Sequence, residues 1–448
     1  MKVPDSGKAA AGARVCALVL TMLATAVVWG FISPLLADLF GLGEWFLRLD
    51  LLLVWLAFAI ALVVWFRTPD LPVRLIVVSL VLLGITQLVT ASRVGIPLTG
   101  PALSFALYGV PFAAIATVVL ARPGKDTARL LLWLLFGLAV LQFLVSVGQA
   151  PFASHPDEVF GMFTGIKIAP HLNGAIAGAV ALWILGRSAN WRDTLWAAPF
   201  VLVTILSDTK QALFLLPFVL ALSPAFNIKI WAVRLVLPVL ATLLALWAPS
   251  IPGVIPDNYG YAVGEIERSI ETSSGEGGSR KLRGLEETTE RVTESPGNLA
   301  FGIGQGQSVG YIALLSNQGS DNSVSRSLGL EPSQIQTEEI GYWYGTGSFS
   351  SEFSSAVGLF GDLGLVGLLA FGIGIAGVVL LVLRTPGRDR NAVWALGLYY
   401  LAMGLVYIWW EQPVFTLFLG LLMGAIFASS GRAVAPWEWR PGKGNAVT

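Results

Sequence analysis

The sequence predicts an all-α polytopic membrane protein of about twelve transmembrane helices, interrupted by one large polar loop. Three observations carry that prediction. Hydrophobic residues fill 55% of the 448 positions and charged residues only 12%, and the mean hydropathy is +0.72; such a composition cannot supply the polar surface of a soluble domain. The apolar residues gather into runs near the roughly 20 that a helix needs to cross a hydrocarbon core of about 30 Å. Finally, residues 249–355 break the pattern with 107 mostly polar positions, far beyond the roughly 15 at which a connection without structure of its own becomes uncommon. The chain divides accordingly into 1–248 with nine spans, the loop 249–355, and 356–448 with three spans and a tail.

The spans follow in order. Residues 15–32 come after Lys2, Lys8 and Arg14 and lack a small-residue cleavage site, which predicts a retained signal anchor. The single cysteine, Cys16, lies there, so the chain has neither a disulfide framework nor Cys/His zinc spacing. Spans 51–66 and 74–89 flank Arg67 and Arg74, and spans 102–120 and 129–147 flank Arg122, Lys125 and Arg129. The next three, 172–185, 194–206 and 211–222, are short, with breaks marked by Pro217 and the polar run Ser207 to Lys210. Span 231–247 closes the first group; 356–383, 391–408 and 414–428 form the second, and the tail after Arg432, rich in Pro, Gly and Trp, reads as interfacial.

Net charge is zero and identifies no partner, but the distribution of charge predicts sidedness. Cytoplasmic loops retain Lys and Arg. With the N-terminus inside, 18 of the 28 basic residues fall on the inner side, while the short outer turns hold only Arg48, Arg93, Lys167 and Lys210. The large loop follows an odd-numbered span, so it is predicted to face outward, with both termini cytoplasmic.

The unusual residues collect on that outer face. Asp208, Thr209 and Lys210 end the seventh span, and an ionisable pair near membrane depth is costly enough to mark either function or a turn whose lysine stays hydrated. In the loop, Ser279 to Glu294 predicts an amphipathic helix whose spacing can set Arg280, Arg283 or Arg291 along one side. It ends at Ser295-Pro296-Gly297. Phe301-Gly302-Ile303-Gly304-Gln305-Gly306-Gln307 follows, and alternate glycines let backbone N–H groups approach an anion, or simply make a flexible turn. No strand-turn-helix unit surrounds this stretch, so it is not a dinucleotide fingerprint. The loop carries fourteen carboxylates against six basic residues, so any anion site in it is local rather than a long-range attraction.

The order of these motifs resembles a known family. Gly161-Met162-Phe163-Thr164-Gly165 followed by Pro170-His171-Leu172-Asn173 resembles a glycine-led segment and span start of the O-antigen ligase and polymerase superfamily. Ser207-Asp208-Thr209-Lys210-Gln211-Ala212 is similar to its Ser-Arg turn, with Lys210 in the arginine's place. Arg283 to Gln307, through Glu294-Ser295-Pro296, Phe301-Gly302 and Gly304, resembles its arginine-led loop element, and Ser351 to Gly367 resembles the start of its tenth span. The order carries the resemblance, over residues 160 to 385.

That resemblance implies a GT-C-like fold in the cytoplasmic (inner) membrane of a bacterium and a metal-independent glycosyltransferase without cofactor. Its partners would be a polyprenyl-diphosphate-linked oligosaccharide donor, a glycan or lipid acceptor and the membrane lipids, with no nucleic acid. Physical chemistry agrees: breaking the anomeric C–O bond develops negative charge on the departing diphosphate, and fixed cations beside it lower the barrier. Lys210, Arg283, Arg291 and Arg280 are the candidates for that role. The family's ligases place a histidine at the start of the tenth span, where this chain reads Phe349-Ser350-Ser351-Glu352-Phe353. Glu352 is then a candidate base, with Glu338, Glu339 and Glu411 as rivals. Glu411 stands in Trp409-Trp410-Glu411-Gln412-Pro413, where the aromatics suit either sugar stacking or a membrane interface. His171 and Asn173 match the family at a helix start, and Asp208 sits beside Lys210. Two other classes fit the composition. A transporter or flippase of lipid-linked saccharides predicts polar residues inside several helices, of which Gln87, Gln142 and Gln149 are the main uncharged ones. A receptor or scaffold predicts a loop that contacts proteins.

Overall fold

Long apolar runs without two-residue alternation form helices, because inside a bilayer each backbone N–H and C=O must find its partner within the segment or the bundle. The computed structural model describes residues 6–40, 48–65, 70–153, 158–164, 169–207, 209–223, 228–247, 280–313 and 354–429, and every regular element among them is helical. The helices are α1 (Ser6–Phe40), α2 (Leu49–Trp65), α3 (Leu71–Val94), α4 (Thr99–Ala121), α5 (Lys125–Gln149), α6 (Ala169–Arg187), α7 (Trp191–Leu195), α8 (Ala198–Leu206), α9 (Lys210–Ala221), α10 (Ile228–Trp247), α11 (Arg280–Thr293), α12 (Pro296–Phe301), α13 (Ser355–Arg384), α14 (Gly387–Val406) and α15 (Pro413–Ser429). Each apolar run of the sequence coincides with one of them, the seventh being divided between α7 and α8. Six are long and apolar enough to cross a membrane, namely α1, α3, α4, α5, α6 and α13, and α2, α9 and α15 are shorter apolar helices. The protein is therefore an all-α, multi-pass membrane protein.

Local chemistry sets the boundaries. Pro72 opens α3, and Gly95, at φ 78, closes it with its N–H on Ala91 O at 2.8 Å. Asn190 caps α7 by accepting the Asp193 N–H at 3.1 Å. The predicted amphipathic helix is α11, whose Gly284, Thr288 and Val292 form one buried row with Arg283, Glu287 and Arg291 as the half-buried row beside it. Ser295 caps α12 by accepting the Asn298 N–H at 3.1 Å, with Pro296 in the first turn.

Helix α6 lies deepest, with 94% of its span buried, among α5, α8, α9 and α14. Small residues let the other helices close on one another. Gly377 of α13 faces the Pro72 carbonyl of α3, and Gly420 of α15 faces Pro111 of α4, each with no room for a larger side chain. Leu52 and Val63 of α2, Ile85 and Leu88 of α3, and Leu243 and Leu244 of α10 stay exposed, as expected where lipid is the solvent. At one end of the bundle Arg187 pairs with Asp389 and Arg234 Nε donates to Ser188 O at 3.1 Å. Residues 296–313 dock on the opposite end, called the loop end below.

Candidate functional site

Two glycine-rich stretches far apart in sequence interlock at the loop end. Gly302, at φ 77, lies so close to α13 that a Cβ there would meet the Asp362 backbone at 2.3 Å, while Gly364, at φ 65, leaves no space for a Cβ against the Gly302 amide and Ala300. Only glycine adopts that backbone and tolerates that approach. The Ile303 N–H donates to Gly361 O at 2.8 Å, and Gly310 and Gly358 pack backbone to backbone. Gly364 is also the one residue with non-helical angles inside α13, so the first turns of that helix form a separate platform for the loop.

Two buried carboxyl groups receive what the loop offers. Asp362 Oδ1 accepts from Ser308 Oγ at 2.6 Å and Oδ2 from the Gly306 N–H at 3.2 Å. Glu411, fully buried in the 3₁₀ turn Trp409–Glu411 between α14 and α15, accepts the Tyr311 N–H on Oε1 at 3.0 Å and Oε2 at 3.1 Å, and the Ser355 hydroxyl on Oε2 at 3.2 Å. Burial first, and then the nearby Asp362 carboxylate, pushes the Glu411 carboxyl up to about 8. Tyr108 OH donates to Ser355 O at 3.4 Å, and Arg48 Nη2 reaches the Tyr311 hydroxyl at 3.0 Å. Of the alternating glycines, Gly306 brings its N–H to an acidic side chain, and that side chain belongs to the protein itself.

The glutamines inside the helices hold other segments in the same way. Gln149 bonds both the N–H and the C=O of Gly161, at 2.8 and 2.9 Å, and Gln142 Oε1 accepts the Met162 N–H at 3.0 Å. Asn173 Nδ2 donates to Ser146 Oγ at 2.9 Å and Val159 O at 3.1 Å, fastening 158–164 to the start of α6. Gln87 bridges Ser104 and Gln305. Thr90 Oγ1 donates to Phe301 O at 2.6 Å.

Four separate segments meet around α6. Thr209 Oγ1 donates to Pro170 O at 3.0 Å and to His171 O at 3.2 Å, and Gly174 supplies the space for Ser207 and Thr209. The His171 ring packs against Tyr407 at 6.3 Å, Tyr407 against Trp409 at 6.3 Å, and Trp409 Nε1 donates to Gln211 Oε1 at 2.8 Å. His171, Asn173, the Ser207 to Gln211 turn and Glu411 thus belong to one neighbourhood. Lys210 is the first residue of α9 and Arg280 the first of α11, their side chains lying outside the described residues, as do Asp208, Glu338, Glu339 and Glu352.

The loop arginines sit on α11, which packs against α12 and α13. Arg283 and Arg291 share the half-buried row of α11, with Arg291 Nε 4.0 Å from Glu294. Asn298 ties this helix to α3: its Nδ2 donates to the Arg291 carbonyl at 3.2 Å while its Oδ1 accepts from Arg93 at 3.1 Å, and Arg93 also donates to Gly302 O. Among the described residues no three of His, Cys, Asp and Glu come together as a metal site needs. Asp362, Ser308 and Tyr311 were not singled out as site residues in the sequence; an acid at the seventh position of the apolar span 356–383 was the available signal for the first. No protein-family model matches this chain, and no curated protein matches it in sequence.

Proposed function

We propose that this protein is a membrane glycosyltransferase that moves a glycan from a polyprenyl-diphosphate-linked donor to a glycan or lipid acceptor at the loop end of the bundle. In this reading twelve helices cross the membrane, both termini are cytoplasmic and the loop end faces outward. One observation supports it most. The glutamines inside the helices are spent on fastening loop segments to one end, Gln142 on Met162, Gln149 on Gly161 and Gln87 on Gln305. A site fixed at one membrane face suits chemistry on a lipid-linked substrate, whereas a transport path would need its polar groups through the depth of the bundle.

The chemistry divides among named residues. An acceptor hydroxyl attacks the anomeric carbon, the C–O bond to the diphosphate breaks, and its electron pair leaves with the diphosphate oxygen. Lys210, Arg283 and Arg291, with Arg280 at the start of α11, stabilise that departing charge. The hydroxyl proton passes to a carboxylate, for which Glu352 is placed by sequence just ahead of α13. Glu411, with both oxygens occupied and its carboxyl held toward the neutral form, serves instead to hold the loop over the site. His171 packs on Tyr407, which packs in turn on the buried Trp409, and this stack supports the site.

The test is direct. Purified protein in nanodiscs is incubated with a polyprenyl-diphosphate-linked oligosaccharide, with and without chelator, and released polyprenyl diphosphate is followed. Release that survives chelation with growth of the lipid-linked glycan identifies a polymerase, and release only on adding a lipid acceptor identifies a ligase. Binding without release would overturn the proposal in favour of transport.

A further inference from the structure

The chain leaves α6 at Arg187 and does not enter α8 directly. It forms α7 first, a helix of five residues that packs on α6 and α10 at the end of the bundle opposite the loop. The residues of α7 sort by side. Thr194 is buried, and its hydroxyl donates to Trp191 O at 2.6 Å. Asp193 is bound back to the start of the helix, its Oδ2 accepting the Ala189 N–H at 3.2 Å and Asn190 Nδ2 at 3.1 Å. Trp191 and Leu195, one helical turn apart, are 60% and 55% exposed, and Trp196 beside them is 50% exposed. The exposed Arg192 holds its guanidinium 5.6 Å from the centre of the Trp191 ring.

Three large apolar side chains exposed together on so short a helix mark a surface that meets something other than water. We propose that this face of α7 is a membrane-interface anchor: Trp191, Leu195 and Trp196 enter the boundary between the headgroups and acyl chains of the leaflet at that end, and Arg192 stays at the level of the lipid phosphates. Position names the occupant. Helix α6 is long and apolar enough to cross a membrane and ends at Arg187 in a buried ion pair with Asp389, so the residues just beyond it lie where the hydrocarbon gives way to headgroups. Trp231 marks the same end at the start of α10, where its Nε1 donates to Ala221 O at 3.4 Å. Tryptophan suits this layer because its ring is apolar while its N–H can bond a headgroup oxygen. Arginine suits it because the charge meets phosphate while the stem lies along apolar neighbours. The inference rests on the chain being a multi-pass membrane protein and not on the transferase reading.

The experiment is nitroxide labelling of the full chain in nanodiscs of phosphatidylglycerol and phosphatidylcholine. Leu195→Cys and Arg192→Cys are each labelled with Cys16→Ser in place, and collisions with molecular oxygen and with a water-soluble nickel chelate are compared. Val81→Cys, at a lipid-facing position of α3, and Glu290→Cys, at an exposed position of α11, supply the lipid and water references. The label at 195 should favour oxygen, as the label at 81 does, at a depth of about 5–10 Å. The label at 192 should be severalfold more open to the chelate than the label at 195. A label at 195 as open to the chelate as the label at 290 would show a water-facing surface, free for a soluble partner, and would overturn the inference. The unsubstituted chain supplies a second measurement that no misfolded variant can spoil. A phospholipid carrying a diazirine near its glycerol should attach within residues 191–196, and attachment to α2 and α3 with none in 191–196 would equally overturn the anchor.

Discussion

Glu411 receives the Tyr311 N–H on both of its carboxylate oxygens, at 3.0 and 3.1 Å, joining residues 100 positions apart in the chain. Asp362 accepts the Gly306 N–H on Oδ2 and the Ser308 hydroxyl on Oδ1, so two buried acids hold residues 306–311 of the long polar segment.

Removing the Glu411 carboxyl should release that segment. Glu411→Ala leaves the buried Tyr311 N–H without an acceptor, at a cost of about 1–3 kcal/mol, and hydrogen exchange over residues 303–313 should rise. Glu411→Gln keeps an oxygen and should retain most of the protection. Equal loss of protection in both variants would mean that the charge, not the acceptor, holds the loop.

The same residue predicts a pH dependence. Its carboxyl ordinarily titrates near 4.5 and is pushed up to about 8 in the folded chain. The folded state therefore keeps the proton to higher pH than the unfolded state. The stabilisation is full below about pH 4.5 and is lost as pH rises through about 8. After correction for intrinsic exchange, protection of residues 303–313 should fall across that upper range in the native chain and stay level in Glu411→Gln.

Glycines at the interlock should be intolerant of substitution. Gly302→Ala and Gly364→Ala each place a methyl within 2.5 Å of backbone atoms at positive φ, which should cost more than about 2 kcal/mol and lower the thermal midpoint. Gly372, with nothing within 4 Å of its Cβ position, is the matched control, and Gly372→Ala should fall within about 0.5 kcal/mol of the native chain.

The proposed diphosphate contacts make a separate prediction. Lys210→Ala, Arg283→Ala and Arg291→Ala should each abolish release of polyprenyl diphosphate while the protein remains folded and inserted. Lys210→Arg should retain activity, because the guanidinium also binds phosphate oxygens. Full activity in all three alanine variants would remove these residues from the site.

Much of the framework is legible in the sequence because bilayer solvation acts on composition over long windows. Every apolar run from 15–32 to 414–428 is helical, the seventh in two pieces, and Ser279 to Glu294 is nearly the span of α11. Pairings across the chain are less legible. Gln142 and Gln149 look like polar residues of a transport path until Gly161 is seen between them, since a glutamine's partner cannot be read from its own neighbours. Phe301 to Gln307 shows its glycines plainly, yet their reason lies in Gly361, Asp362 and Gly364, about sixty residues further on.

The long separation between Tyr311 and Glu411 has a consequence for how the chain is made. At a synthesis rate of about 5–20 residues per second, Tyr311 leaves the ribosome roughly 5–20 s before its acceptor. Through that interval the glycine-rich segment has no Glu411 turn to rest on, and for about the first half of it no α13 platform either. A chain stopped between α13 and the end of α14 would carry every loop residue and still lack the acceptor that seats Tyr311, so the segment after α14 acts as the closing step of assembly.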